Sequence, residues 1–208
     1  MRFAPNPAYS SFFISFLCLL DHWGVLPHFA GTLMSIQFLV IHSSAFMGSV
    51  RLIKNEKLRP LAFRSLIVLY SLFALKTDGI FGIVQFWGLT YANYQRFIFT
   101  KAFDEDKASL VIRWATAFFL FILAAGLFDT PGDVDEWAGN RRVGLAAIWY
   151  FIGLGAVEMS GFYEGGWRRL AAAFFKKLAG PSDQPLPFWL KDPEKPADPK
   201  PDDGEKER

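Results

Sequence analysis

Polar groups inside apolar runs are the first residues of this sequence that could do chemistry. An ionisable group in bilayer hydrocarbon costs from about 2.5 kcal/mol upward, so such groups normally face the interior of a helix bundle and pair. At about 1.5 Å of rise per residue, four polar residues fall at nearly one depth in a hydrocarbon core about 30 Å thick. These residues are His42, Asn93, Arg113 and Glu158.

This inner cluster has two interpretations. We expect Arg113 to pair with Glu158, while His42 and Asn93 complete a hydrogen-bonded group between four helices. Such a cluster could be a substrate, proton or cofactor site. We favour a structural explanation, in which the cluster is a polar clasp or Arg113 extends to the nearby headgroups.

A second polar set lies near the opposite ends of the apolar runs and consists of Asp21, His22, His28 and Asp78. Imidazole and carboxylate groups are metal ligands, and Asp21 and His22 with Asp78 are the one candidate for acid–base chemistry on a lipid. However, the chain has three histidines and one cysteine, without His-x3-His or Glu-x-x-His spacing. We therefore expect solvated helix ends and no metal site.

Other chemistries find little support in the sequence. His28 and His42 could each face a different haem, but each iron would need a second axial ligand, and only His22 remains. Gly-x-Ser-x-Gly and phosphate-binding glycine motifs do not occur, and Cys18 has no basic neighbour in sequence. A net charge of +2, without basic stretches interleaved with aromatics, argues against nucleic acid. The sequence predicts no catalytic residue and no cofactor.

The polar residues above lie on apolar segments of the length that membrane helices require. A membrane span needs about 20 mostly apolar residues, and its backbone polar groups must be bonded internally, as they are in a helix. We predict an all-α fold, a polytopic transmembrane helix bundle of about six spans. The six segments are 8–26, 28–50, 61–75, 80–99, 108–128 and 143–162.

The sequence leaves open whether the third segment crosses the membrane, because 61–75 is short for a span. It is followed by Lys76-Thr77-Asp78-Gly79, a sequence typical of a turn. Tilt, local thinning of the bilayer, or the long side chains of Arg64 and Lys76 would allow a short segment to span.

The placement of Lys and Arg predicts the orientation, since basic connections stay on the cytoplasmic side. Basic residues concentrate between the second and third spans, around the link between the fourth and fifth, and after the sixth. The intervening connections are poor in them, and 129–142 carries four acidic residues before Arg141 and Arg142. This alternation predicts an integral, multi-pass membrane protein with both termini in the cytoplasm and the inner cluster in the cytoplasmic leaflet. Five spans would put one basic group on the wrong side.

The second span carries a narrow face of mostly small or polar residues, which is typical of the side that a membrane helix packs against its neighbours. At helical spacing this face consists of Gly31, Ser35, Phe38, His42, Ala45 and Ser49.

The chain changes in composition after the sixth span. We divide it into a helix bundle (1–164), a basic amphipathic helix (165–180) and a disordered, Pro-rich and charged tail (181–208). Trp167, Leu170, Phe174 and Leu178 fall on one side of the amphipathic helix. Such a helix either lies in the headgroup plane, drawn to anionic lipid, or docks on the protein's own cytoplasmic loops.

Three functions follow as hypotheses. The first, which we favour, is a non-enzymatic accessory or assembly subunit that packs against a membrane-protein partner or against its own copies. The second is a small-solute or proton-coupled transporter that uses the inner cluster, and an open vestibule would distinguish it from the first. The third is a membrane enzyme acting on lipid through the outer cluster.

Overall fold

The computed structural model describes residues 7–26, 29–50, 53–99 and 107–179. Within these ranges the chain forms helices and turns without a strand, so the all-α prediction is confirmed. The predicted tail, 181–208, lies outside the described residues. The helices are α1 (Pro7–His22), α2 (Phe29–Ser49), α3 (Leu58–Phe99), α4 (Lys107–Leu127), α5 (Arg141–Met159) and α6 (Gly166–Ala179). Two short 3-10 turns cover Val134–Glu136 and Phe162–Glu164.

Three of these helices contain segments that are long and apolar enough to cross a membrane. The segments are Phe29–Phe46, Leu58–Tyr91 and Arg141–Met159. Shorter apolar helices cover Ala8–His22 and Val111–Leu127. The chain divides after Met159 into two compact units, the first containing α1 to α5 and the second α6.

Helix α3 is a hairpin of two arms. Its backbone leaves helical geometry at Asp78 (φ −149°, ψ 35°) and at Gly79 (φ 58°, ψ −142°). The rings of Tyr70 and Phe86 are stacked with their centroids 6.5 Å apart. A straight helix would separate residues sixteen positions apart by about 24 Å, so the chain reverses direction between them. The turn falls within the tetrad that the sequence predicted.

The first arm of this hairpin is longer than the apolar segment 61–75. Asn55 Oδ1 accepts hydrogen bonds from the backbone N–H of Lys57 (3.0 Å) and of Leu58 (3.3 Å), which caps the start of the helix. Pro60 occupies the first turn, where its missing N–H is not needed. The arm therefore runs from Leu58 to the turn, about 20 residues or roughly 30 Å.

Helices α1 and α5 pack closely and run in opposite directions. Ser15 Oγ donates a hydrogen bond to the Ile148 carbonyl oxygen at 3.1 Å. Toward the other end of the contact, the Phe12 ring lies so near Gly155 that a Cβ added there would stand 2.8 Å from it. The contact face of α1 is made of small side chains, which allows this approach. Its buried members are Ala8, Ser11, Ser15 and Cys18.

Helix α2 lies at the centre of the first unit and packs against the other four helices. The side chains of α2, α3, α4 and α5 together form most of one continuous apolar core. Phe121 of α4 contacts Phe38 (5.7 Å), Tyr150 (5.7 Å) and Trp137 (5.9 Å) between ring centroids. Aromatic rings from α2, α4, α5 and the α4–α5 loop therefore meet in this part of the core.

The connection between α4 and α5 folds over the start of α2. Trp137 is buried, and its Nε1 donates to the Pro131 carbonyl oxygen at 2.8 Å. A Cβ added to Gly31 would stand 2.1 Å from the Trp137 carbonyl oxygen, so only glycine fits there. The loop and the first turn of α2 are therefore in backbone contact.

Candidate functional site

The Arg113 guanidinium and the Glu158 carboxylate form an ion pair between α4 and α5. The side chains are 8% and 6% exposed, so both charges are removed from the surroundings and each compensates the other. The expected pairing is therefore present. Arg113 projects from the second turn of α4 and Glu158 from the last turn of α5, which meet because the two helices are antiparallel.

The structure does not bring His42 to this pair. Its imidazole is exposed, its Nδ1 lies 3.4 Å from the Tyr70 hydroxyl, and its ring contacts Phe38 (5.9 Å) and Phe46 (5.1 Å) between centroids. The expectation that His42 faces the bundle interior is corrected by this exposure. Counting residues fixes the depth of a side chain but not the direction in which the helix turns it.

Asn93, the fourth residue of the expected cluster, lies in the second arm of α3, and its side chain lies outside the described residues. The inner cluster is therefore observed as one ion pair, with His42 on a different surface.

A polar pair that sequence reasoning missed lies deeper in the core. Gln37 Nε2 donates to the Tyr150 hydroxyl at 2.7 Å, and the two residues are each 1% exposed. Buried polar groups require such partners, and this bond joins α2 to α5. The available signal was an amide in the middle of an otherwise apolar segment, which marks a side chain that must face another helix.

The described residues of the predicted outer cluster have different surroundings and do not form one site. The Asp21 carboxylate accepts a hydrogen bond from the backbone N–H of Ala30 at 2.8 Å, which satisfies a donor in the first turn of α2. His22 is half-buried, whereas Asp78 is exposed at the tip of the α3 hairpin. His28 lies outside the described residues. Asp21 thus has a structural role in holding the end of α1 against the start of α2.

No three His, Cys, Asp or Glu side chains converge as a metal site in the part of the chain that the structure describes. A surface depression on the first arm of α3 is lined by Arg64, Ser65, Val68, Leu69 and Leu72, and it includes none of the predicted site residues.

The small-residue face of α2 divides into a packed half and an exposed half. Gly31 and Ser35, near the start of the helix, are buried inside the protein. The second half of the face is exposed; we call it the open α2 face. It consists of Phe38, His42, Ala45 and Ser49, together with Phe46, which is exposed beside them.

The hydrogen bonds on the open α2 face leave one polar group without a full set of partners. Ser49 Oγ bonds back to the Phe46 carbonyl oxygen at 2.7 Å, so its hydroxyl is satisfied within the helix. His42 uses Nδ1 toward Tyr70, and among the described residues none bonds to its Nε2. His42 is therefore the group on this face through which a second molecule could be recognised.

No protein-family model, curated protein or solved structure matches this chain. The fold itself defines a class: over the described residues the chain is helical, and three of its described helices are long and apolar enough to span a membrane.

Proposed function

We propose that this protein is a six-span integral membrane protein with both termini in the cytoplasm, and that it is an accessory or assembly subunit. It holds a membrane-spanning helix of a different protein against the open α2 face. The observation that carries the proposal is the exposure of His42 on a face otherwise built for helix packing.

Its exterior supports the membrane assignment. Large apolar side chains project outward along α1, α3 and α4, and extensive exposed apolar surface marks a site of contact with a membrane or another protein. Only 17% of an 18-residue apolar stretch within Leu58–Tyr91 is buried in the protein. Two arms of about 20 residues each match the hydrocarbon thickness, which supports counting the hairpin as two of the six proposed spans.

Helix directions support the alternating threading. The contacts of Phe12 with Gly155, of Ser15 with Ile148 and of Arg113 with Glu158 make α1 and α4 antiparallel to α5. Helix α2 runs parallel to α5, because Gly144 lies beside Ala30 and Tyr150 beside Gln37. These directions are those of successive spans threaded in and out of a bilayer.

The partner is a transmembrane helix that presents a hydrogen-bonding side chain to His42. Lipid tails offer an imidazole no hydrogen bond, whereas a polar side chain on a neighbouring helix does. Ala45 and Ser49, the small members of the face, allow a second backbone to approach closely. Phe38 and Phe46 flank the histidine and contribute apolar contact area.

The packing of the interior favours this role over transport. A transporter requires a solute-accessible path to its polar site. The core between α2, α4 and α5 is instead occupied by Met34, Phe121, Tyr150 and Phe151, all at most 2% exposed. The buried polar groups Gln37 and Tyr150 bond to each other across this core.

Site-specific photo-crosslinking in native membranes tests the proposal. A photoreactive phenylalanine analogue replaces Phe46 on the open α2 face or, as the matched control, Phe119, which is 64% exposed on α4. We expect a discrete crosslink to another membrane protein from position 46 and none from position 119. His42→Leu should weaken the association by roughly five-fold, the value of one hydrogen bond between membrane helices.

Two results would contradict the proposal. Identical products from both positions would mean that position 46 contacts its surroundings without selectivity. A product with the mass of two copies would assign the face to self-association. Because His42 is exposed, the leucine variant should keep its thermal stability, which separates loss of binding from loss of fold.

A further inference from the structure

Helix α6 carries two parallel stripes of opposite character. Leu170, Phe174 and Leu178 follow one another at intervals of four residues and are 65%, 60% and 68% exposed. Arg169, Ala173 and Lys177 form the neighbouring stripe at the same spacing, and all three are exposed. Residues four apart lie on one side of a helix, so the apolar and basic stripes run side by side along about 12 Å.

The apolar stripe is exposed although it belongs to a well-formed helix. Three consecutive large side chains on one face normally pack against protein or lipid, since their burial is the main stabilisation of an amphipathic helix. The exposed stripe is therefore the face of α6 that offers apolar contact area.

Trp167 differs from its sequence-based placement. It was expected on the apolar stripe, but it is buried at 5% exposure, with the Arg168 guanidinium 5.2 Å from its ring centroid. Trp167 therefore secures the beginning of the helix, and the stripe available for binding starts at Leu170.

Helix α6 is a separate element and not an extension of α5. Gly161 (φ 67°) and Gly165 (φ 111°) bracket the 3-10 turn Phe162–Glu164. Both have positive φ, a conformation that favours glycine and interrupts helical continuity. The backbone conformation of these two glycines therefore ends one helix and precedes the next.

We infer that α6 binds the surface of a bilayer rich in anionic phospholipid, independently of the partner-binding role proposed for the open α2 face. The helix contains four basic residues and no acidic one. Its charge therefore complements phosphodiester headgroups, while its apolar stripe reaches the boundary with the acyl chains. A zwitterionic surface supplies the apolar boundary but not the complementary charge.

The test uses the full chain in a Cys18→Ala background, reconstituted into vesicles. An environment-sensitive fluorophore is attached at Phe174→Cys on the apolar stripe or at Ala173→Cys on the basic stripe. The vesicles contain phosphatidylcholine alone or phosphatidylcholine mixed with phosphatidylglycerol. Emission wavelength and quenching by aqueous iodide report whether each label is in lipid or in water.

We expect the label at position 174 to be shielded from iodide and blue-shifted in phosphatidylglycerol vesicles, and the label at position 173 to stay quenchable. Replacing Arg169 and Lys177 with Gln should lower the ratio of lipid-bound to free helix roughly thirty-fold, because each basic residue near an anionic surface contributes about 1 kcal/mol, or about five-fold. Equal quenching of both labels in anionic vesicles would overturn the inference. Equal shielding of position 174 in both lipid mixtures would overturn its electrostatic part.

Discussion

At the scale of single residues, the stability of the first unit depends on how its buried charges are compensated. Arg113 and Glu158 lose their hydration together, and the attraction between them offsets part of that loss. Removing the carboxylate leaves a guanidinium that cannot deprotonate in a site with little access to water. If both residues are replaced with apolar ones, no buried charge remains that needs a partner.

We predict that Glu158→Gln lowers the free energy of unfolding by about 3–5 kcal/mol, whereas Glu158→Gln combined with Arg113→Met costs less than the sum of the single changes. Denaturant titration in detergent measures all three variants. Arg142 and Asp129 provide the matched control, since their ion pair at 2.7 Å is exposed, and Arg142→Gln should change stability by at most about 1 kcal/mol. Strict additivity of the two buried substitutions would contradict the coupling.

The residues of this pair were predictable because charge in an apolar segment is costly and the rise per residue fixes depth. The direction in which the His42 side chain points was not predictable from the sequence, because the packing of distant residues decides how a helix is rotated about its axis. Gly31 against the Trp137 carbonyl group sets that rotation in α2. Nothing within the α2 sequence itself identifies that contact.

At the scale of elements, the α3 hairpin depends on two glycines for different reasons. Gly79 has a positive φ and no atom within 4 Å of an added Cβ, so a side chain there is resisted by backbone conformation alone. An added Cβ at Gly82 would stand 2.0 Å from the Ala74 carbonyl oxygen, so a side chain there would separate the arms.

We predict that Gly82→Ala destabilises the protein most, and that Gly79→Ala costs about 1–3 kcal/mol. Gly88→Ala in the second arm should be neutral or stabilising by up to about 1 kcal/mol, because nothing lies within 4 Å and alanine favours the helix. Thermal unfolding in a single detergent orders the three variants. If Gly88→Ala destabilised the protein as much as Gly82→Ala, the close approach of the arms would not explain the destabilisation by Gly82→Ala.

Most helices were predictable from apolar runs, but their ends were not. The first apolar run extends to residue 26, whereas α1 ends at His22, and the third run begins at residue 61, whereas α3 begins at Leu58. Hydrophobicity marks the part of a helix that contacts lipid or core. Caps such as Asn55 decide where the backbone starts to turn, and they lie in polar sequence.

At the scale of the whole molecule, the proposed threading places the hairpin tip and the α4–α5 loop on one side of the membrane and the α2–α3 connection on the other. Asp78, Glu136 and Glu56 are exposed residues in these three places. Each can carry a single cysteine without disturbing a buried contact.

In a Cys18→Ala background, we predict that a membrane-impermeant maleimide applied to intact cells labels Asp78→Cys and Glu136→Cys but not Glu56→Cys. Permeabilised cells should give labelling at all three positions, which controls for reactivity. Labelling of Glu56→Cys together with protection of Asp78→Cys would reverse the orientation. Protection of Asp78→Cys alone would mean that the hairpin does not reach the outer surface.

The pairing of α1 with α5 has a consequence for biosynthesis. Ser15 and Ile148 are separated by 133 residues, so in the proposed membrane threading the N-terminal helix would reach the bilayer long before its partner has been translated. At typical elongation rates this interval lasts roughly seven to thirty seconds. Throughout that time the small-residue face of α1 lacks its contacts with α5, although α2 and α3 are already available to pack against α1, and an insertase or chaperone that shields nascent helices would be needed longest there.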